Sequence, residues 1–486
     1  MSKLVIAAVA AGMASLAAPG GAALGATDLA PAGAAADAPD VRIFLGGDGD
    51  GYLQPCGCSK PQQGGFPRKA AVIDRLAKNA GAVVLLERGN FIGAVNSQQK
   101  IKLEMIFLML NEMHCTAATL GEKDFQLGLN AVMSVRPSAQ FPLVSANIST
   151  TGELFSRYHV ATVNVRGREF RLGITSVMDA RPRPGLPREV RVEPPVPALR
   201  RTLESMRKEA DYQIVLCDLG QPGARKLAQD CPGIDLIITG GDEDLPAKNL
   251  DVAGSTRIAY DGRRGKALGE VLLAVQDGRL VTSGVAVHEL GEDIVDSQKI
   301  TELMAYYEEV LRGEQMLEKA DRLPGSGAAF VGADRCIGCH RWQYETWKNA
   351  KHAHALETLE TAHRSWDPEC VVCHATGFEV QGGYLTKTAT PKLGGVGCES
   401  CHGAGSLHVE RPELPWTRPA ERDCQTCHTA DHSPRFVFAE YLPKIDHRRP
   451  PLPGNTGYVV FGAAIVAMFV AFTCVQKTVL RSKYRP

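Results

Sequence analysis

V-R-I-F-L-G-G-D-G-D-G-Y-L-Q-P-C-G-C, from Val41 to Cys58, begins as a short apolar β-rich run and breaks into a loop of glycine, aspartate and cysteine. Val41–Gly46 reads as a strand and Asp48–Cys58 as the loop at its carboxyl end. Similar runs recur at 83–87, 116–120, 141–146, 159–165, 170–177, 213–217, 234–239 and 270–275. Between them lie stretches at 68–80, 98–114 and 198–210 in which apolar residues return three and four positions apart, the spacing of one helix face. Strands alternating with amphipathic helices predict an α/β sandwich over 41–290. Segment 291–327 then carries an amphipathic helix at 297–320, with Ile300, Leu303, Met304, Tyr307, Val310, Leu311 and Leu317 on one face, and P-G-S-G at 324–327 ends it. A second domain is expected over 328–450.

Composition narrows the function. Lys+Arg and Asp+Glu are equal at 54 each, and no basic run is dense enough to neutralise a row of phosphates, so no nucleic-acid partner is expected. The apolar run Leu4–Ala18 follows a single lysine and precedes small residues, which reads as an export signal over 1–25 with a linker over 26–40. A second apolar run, Tyr458–Val475, would reach ~27 Å as a helix, and Lys477, Arg481, Lys483 and Arg485 follow it. The expectation is a transmembrane helix over 457–476 with a cytoplasmic tail over 477–486. That places the chain in the bacterial inner membrane as a single-pass protein with its main domains in the periplasm.

Eight of the 14 cysteines and ten of the 13 histidines lie between Cys336 and His447. Four C-x-x-C-H motifs account for most of them: Cys336/Cys339/His340, Cys370/Cys373/His374, Cys398/Cys401/His402 and Cys424/Cys427/His428. Two thiols at this spacing add to the two vinyl groups of one haem while the adjacent imidazole takes its iron, so four covalently bound haem c groups are expected. No methionine lies between Met316 and Met468, so the distal ligands must come from His352, His354, His363, His408, His432 and His447, six candidates for at most four positions. Mostly bis-histidine, low-potential irons follow. With so little chain per haem, the porphyrins themselves would form the core of a mainly α domain.

This segment resembles the tetrahaem cytochrome c family that takes electrons from hydroxylamine oxidoreductase. The likeness rests on Trp347–Leu359, Asp367–Gly377, Gly395–His408 and His432–His447. By resemblance His352 or His354, His408 and His447 are distal ligands, and one of the family's four irons is five-coordinate.

Segments Asp48–Cys58, Glu87–Asn90, Thr119–Gly128, Leu143–Ile148, Val215–Gly220 and Ile234–Asp244 together resemble the calcineurin-like metallophosphoesterases, 5′-nucleotidase branch. The resemblance implies two sheets flanked by helices and a two-metal site built from D-x-H, G-D, G-N-H-[DE], a lone His and G-H-x-H. Here Asp48 is kept, but Asp50 stands for the first His, Asn90 for the bridging Asp, Glu122 and Lys123 for the Asn-His pair, Asp218 for the lone His, and G-D-E-D for the last motif. A metal pair about 3.5–4 Å apart needs imidazoles and a bridging carboxylate, so the site reads as degenerate and a divalent metal is not expected. A competing reading takes Asp48, Asp50, Asp124, Asp218, Asp242 and Asp244 as an all-oxygen site for Ca²⁺ or Mg²⁺. Cys56 and Cys58 leave open a strained C-x-C disulfide, pairing with Cys115, Cys217 or Cys231, metal capture or burial.

The expected function is a membrane-anchored periplasmic tetrahaem cytochrome. It would carry electrons between a membrane donor, such as a quinol-oxidising complex, and a redox protein partner, with an inactive phosphoesterase-like scaffold. The alternatives are an oxidoreductase acting on a small nitrogen or sulfur compound at an open haem, and a bifunctional phosphoesterase with a cytochrome domain.

Overall fold

The structure is a computed structural model that describes residues 39–55, 62–93, 96–181, 185–241, 246–430 and 432–447. They fall within one compact unit that begins at Pro39.

Thirteen strands are described: β1 (Val41–Gly46), β2 (Ala82–Glu87), β3 (Ala117–Ala118), β4 (Ile148–Thr150), β5 (His159–Val165), β6 (Arg168–Met178), β7 (Val190–Val192), β8 (Tyr212–Asp218), β9 (Leu236–Gly240), β10 (Asp251–Ala253), β11 (Thr256–Asp261), β12 (Ala267–Gln276) and β13 (Arg279–Glu289). One sheet runs β13-β12-β1-β2-β3 and the other β10-β11-β9-β8-β6-β5, with β4 and β7 paired apart. β1, β2 and β3 are parallel, as are β6, β8, β9 and β11.

Period-two alternation decides the layering. Ile43 and Leu45 point between the sheets and pack with Ile174, Ile214, Leu216, Ile238 and Val271. Phe44 and Leu85 point the other way, onto helices α1 (Phe66–Ala77), α2 (Gln99–Glu112) and α3 (Gln298–Gly313). On the far side Val215 and Ile237 meet Leu199, Leu203 and Leu227 of two further helices, Pro195–Glu209 and Gly220–Asp230. The result is helix, sheet, sheet, helix. The helix expected between domains, α3, belongs to the outer helical layer, where Ile300, Met304, Tyr307 and Leu311 are buried.

Segment 141–146 makes only isolated bridges through Leu143 and Val144 instead of a strand. Pro142 has no N–H to pair, and the Ser145 hydroxyl accepts from the Ile148 amide at 3.1 Å, drawing the backbone into a turn. Beyond α3 the chain forms short helices around a small apolar cluster of Leu317, Leu356, Leu359, Val371, Ala375, Phe378, Tyr384 and Leu393.

The membrane-spanning part of the expected fold is corrected. Among the described residues no helix is long and apolar enough to cross a membrane. The longest described helix is α3, whose 16 residues reach ~24 Å and carry exposed Glu302, Glu309 and Arg312. The single-pass inner-membrane placement therefore has no support in the structure. Tyr458–Val475 itself lies outside the described residues, as do Leu4–Ala18, Cys56, Cys58, Asp242 and Asp244.

Candidate functional site

The loops at the carboxyl ends of β1, β2, β8 and β11 converge, the end of a parallel sheet where ligands usually bind. Asp48, Asp50 and Asn90 all hold positive φ there, at 46°, 50° and 55°. Such backbone is rarely populated outside glycine and turns their side chains toward the cleft. What fills the cleft is Arg88, a residue that sequence reasoning passed over. Its guanidinium donates to Asp261 at 3.0 and 3.1 Å and to Asp48 at 2.5 Å, and Asp218 lies 3.5 Å away. The Arg88 side chain is 2% exposed. Gly240 makes room for it, since a Cβ there would stand 2.9 Å from Nη2.

The remaining acidic positions are also taken up. Asn90 Nδ2 donates to Asp48 at 2.7 Å, and its Oδ1 accepts from the Lys123 amide at 3.1 Å. The Lys123 ammonium pairs with Asp50. Asp124 turns away and accepts the backbone N–H groups of Asn90, Phe91, Ile92 and Gly121 at 2.7–3.2 Å. Burial nonetheless pushes its carboxyl up to about 6. Burial would also raise Asp48, but Arg88, Asn90 and Lys123 outweigh it and hold that carboxyl below the usual range. Among the described residues no group of three or more His, Cys, Asp or Glu side chains is placed to hold a metal ion. The residues present do not fit a two-metal centre, because a fixed guanidinium and an ammonium stand where the carboxylates converge. Cys115, Cys217 and Cys231 are free and buried.

In the carboxyl-terminal segment the histidines sort themselves. His340 faces His408, His352 faces His428 and His402 faces His447, each pair with ring centres 6.2 Å apart. An imidazole bound at roughly 2.0 Å places its ring centre roughly 3.1 Å from the metal, so two rings on opposite faces of one iron stand roughly 6.2 Å apart. All three pairs have this spacing, so the donor set fits bis-histidine haem. His374, the proximal residue of the second motif, is in none of the pairs and gives its Nδ1–H to the Ala355 carbonyl at 2.7 Å. That bond fixes the tautomer and leaves Nε2 for iron.

Both ring nitrogens of His354 have partners, with Glu357 and the Lys348 carbonyl each 3.1 Å away. His363 is exposed, at a positive φ of 54°. The His432 amide donates to Thr429 Oγ1, and its ring is in none of the three pairs. The thiols also come together in twos: Cys336 reaches Cys398, and Cys427 reaches Cys373. Burial, with His428 and His374 close by, lowers the His352 pKa, and burial with His447 and His340 lowers that of His402. The first motif thus stands beside the third and the second beside the fourth.

The two centres meet at helix α4 (Pro368–His374), which carries the second motif. Asp367 caps it by accepting from the Glu369 amide at 3.0 Å, and Gln98 of the α/β sandwich donates to Asp367 at 2.9 Å. Gln99 donates to Glu369 at 2.7 Å, and Lys102 bridges Glu369 at 2.5 Å and the Gly51 carbonyl at 2.8 Å. A single lysine therefore joins the Asp48–Gly51 loop to the second C-x-x-C-H helix. Lys102→Met should lower stability by about 1.5–3 kcal/mol, the range for a hydrogen bond to a charged group. In urea titrations haem absorbance should change ahead of far-UV dichroism, whereas in the parent chain the two should coincide.

An α/β sandwich whose cleft holds its own cations is followed by paired C-x-x-C-H motifs, the mark of a multihaem c-type cytochrome segment. Residues 335–403 match the model of the cytochrome c554 and c-prime family, which implies covalently bound haem c. Cytochrome c-554 of Nitrosomonas europaea is 39% identical over 93 residues, 16% of this chain and 40% of that protein. Protein 5NUC of Lutzomyia longipalpis is 24% identical over 188 residues, 36% of this chain and 32% of that protein. The 5′-nucleotidase precursor of Thermus thermophilus aligns with a TM-score of 0.49 at 19% identity, covering 66% of this chain and 68% of that one. The chain spans less than half the length of the curated relatives it matches.

Proposed function

We propose that this chain is a tetrahaem electron carrier in which the phosphoesterase-like domain is a scaffold. The three histidine pairs with a common 6.2 Å spacing carry this reading. Haem c, when bound, supplies an iron that cycles between ferric and ferrous. Cys336 and Cys339, Cys370 and Cys373, Cys398 and Cys401, and Cys424 and Cys427 hold the four groups. His340 with His408, His402 with His447, and His428 with His352 would each supply two imidazole nitrogens to one haem. His374 would supply one face only, so the haem of the second motif would keep an open position. Contacts between Cys336 and Cys398 and between Cys427 and Cys373 arrange the groups as two close pairs, and redox proteins are the partners that would load and unload them.

Denatured protein should retain four haems by pyridine haemochrome, and paramagnetic resonance should resolve three low-spin signals and one high-spin signal. Three haems or fewer with all motifs intact would refute the tetrahaem reading. The one-sided ligation at His374 also supports a second reading, reaction of a small nitrogen or sulfur compound at that iron. Its test is whether nitric oxide binds one haem per chain. Hydrolysis is disfavoured by Arg88 and Lys123: with manganese and aryl phosphate esters, turnover should not exceed that of Asp48→Ala.

A further inference from the structure

Leu414-Pro415-Trp416-Thr417 lies beyond the third C-x-x-C-H motif and matches no recognised pattern. His408 gives its Nδ1–H to the Leu414 carbonyl at 3.0 Å, and His402 gives its own to the Thr417 carbonyl at 2.7 Å. Between those two carbonyls the indole of Trp416 lies against both rings. Its centre is 5.4 Å from that of His408 at 13°, and 4.9 Å from that of His402 at 30°. His408 belongs to the pair with His340, and His402 to the pair with His447. One four-residue segment thus grips one imidazole from each of two iron sites.

The grip fixes two things. A carbonyl acceptor on each Nδ1 requires the proton there and leaves each Nε2 free to bind metal, while the stacked indole sets the plane in which each imidazole lies. A third feature concerns Trp416 itself. Its Nε1 is buried and has no hydrogen-bond partner among the described residues. A buried N–H without an acceptor is costly and calls for one. At this position, flanked by the ligands of two haems, the available acceptor class is a carboxylate of the porphyrin edge.

We propose that Leu414–Thr417 is a positioning clip shared by the first and third haems, with Trp416 setting both imidazole planes and its Nε1–H donating to a haem propionate. The inference rests on the multihaem reading and goes beyond it, because it couples two sites through a residue that binds neither iron. Imidazole planes govern the g-anisotropy of low-spin ferric iron, so a change at Trp416 must appear at two centres together. A propionate that loses its N–H donor keeps more negative charge, which favours the ferric state and lowers that haem's potential.

The test uses the full-length holoprotein, with haem counted by pyridine haemochrome. In Trp416→Leu the count should stay as in the parent, two low-spin signals should move together and the third should stay in place. In Trp416→Phe, which keeps an aromatic stack but loses the N–H, the signals should hold position while one midpoint falls. Should Trp416→Leu lose haem, Trp416→Phe decides the matter. Unchanged spectra and titrations at full haem content would overturn the clip, as would a shift confined to one centre in Trp416→Leu. A parent chain with too few haems, or without bis-histidine signals, would instead defeat the multihaem reading.

Discussion

Arg88→Ala should destabilise the amino-terminal domain by about 3–5 kcal/mol at neutral pH, the range for removing one partner from a buried ion cluster. Arg88 is 2% exposed, and its loss leaves Asp48, Asp218 and Asp261 converging on a void. Burial already raises the Asp261 carboxyl to about 6 beside Arg88, and without the cation burial and mutual repulsion should raise Asp48 above the unfolded value near 3.9 as well. A raised acid binds its proton more tightly when folded, so its contribution is complete below the unfolded pKa and is lost as pH rises through the folded one. The deficit should therefore be greatest at pH 7 and shrink toward pH 4. Arg88→Lys should fall between the two, because one ammonium cannot meet three carboxylates in the fork geometry of a guanidinium. Urea unfolding followed by far-UV dichroism at both pH values measures this. A loss below about 1 kcal/mol, equal at both, would show that the guanidinium is dispensable.

His352→Ala should convert the haem of the fourth motif to high spin, leaving two low-spin signals where the parent has three. His352 is the ring facing His428 at 6.2 Å, and His354, two residues on, has both ring nitrogens engaged by Glu357 and Lys348. His354→Ala should accordingly leave every spin state unchanged. The iron released in His352→Ala would sit beside the haem of His374, since His352 lies close to both His428 and His374. Nitric oxide stoichiometry should then rise from one to two per chain. An unaltered low-spin count in His352→Ala, with conversion in His354→Ala, would exchange their roles.

These two residues show different degrees of legibility. The four C-x-x-C-H motifs could be read directly, because each sets two thiols and an imidazole within five consecutive residues, and no tertiary contact is needed to bring them together. The six candidate distal histidines could not be sorted from the sequence, because the rings that pair in space come from distant parts of the chain. His352 and His354 have the same local context, and only the contacts of His354 with Glu357 and Lys348 separate them. Arg88 gave no signal at all. In the run E-R-G-N it looks like any solvated arginine, and only the convergence of four strand ends makes it the counter-ion of three aspartates.

The sequence by itself determined the alternating α/β pattern from Val41 to Leu290, the absence of histidine from the Asp48–Cys58, Glu87–Asn90, Thr119–Gly128 and Val215–Gly220 segments, and the four C-x-x-C-H motifs. These are local properties, set by hydrophobic period or by residue chemistry at fixed short spacing. Only the tertiary structure decided that Asp124 caps backbone amides instead of joining an acidic cluster, that Lys102 ties the Asp48–Gly51 loop to the second motif, and that Trp416 lies between His402 and His408. It also removed the membrane-spanning helix from the described fold. Each of these depends on which side chains from distant segments reach the same few ångströms, and burial then sets their charge and their partners.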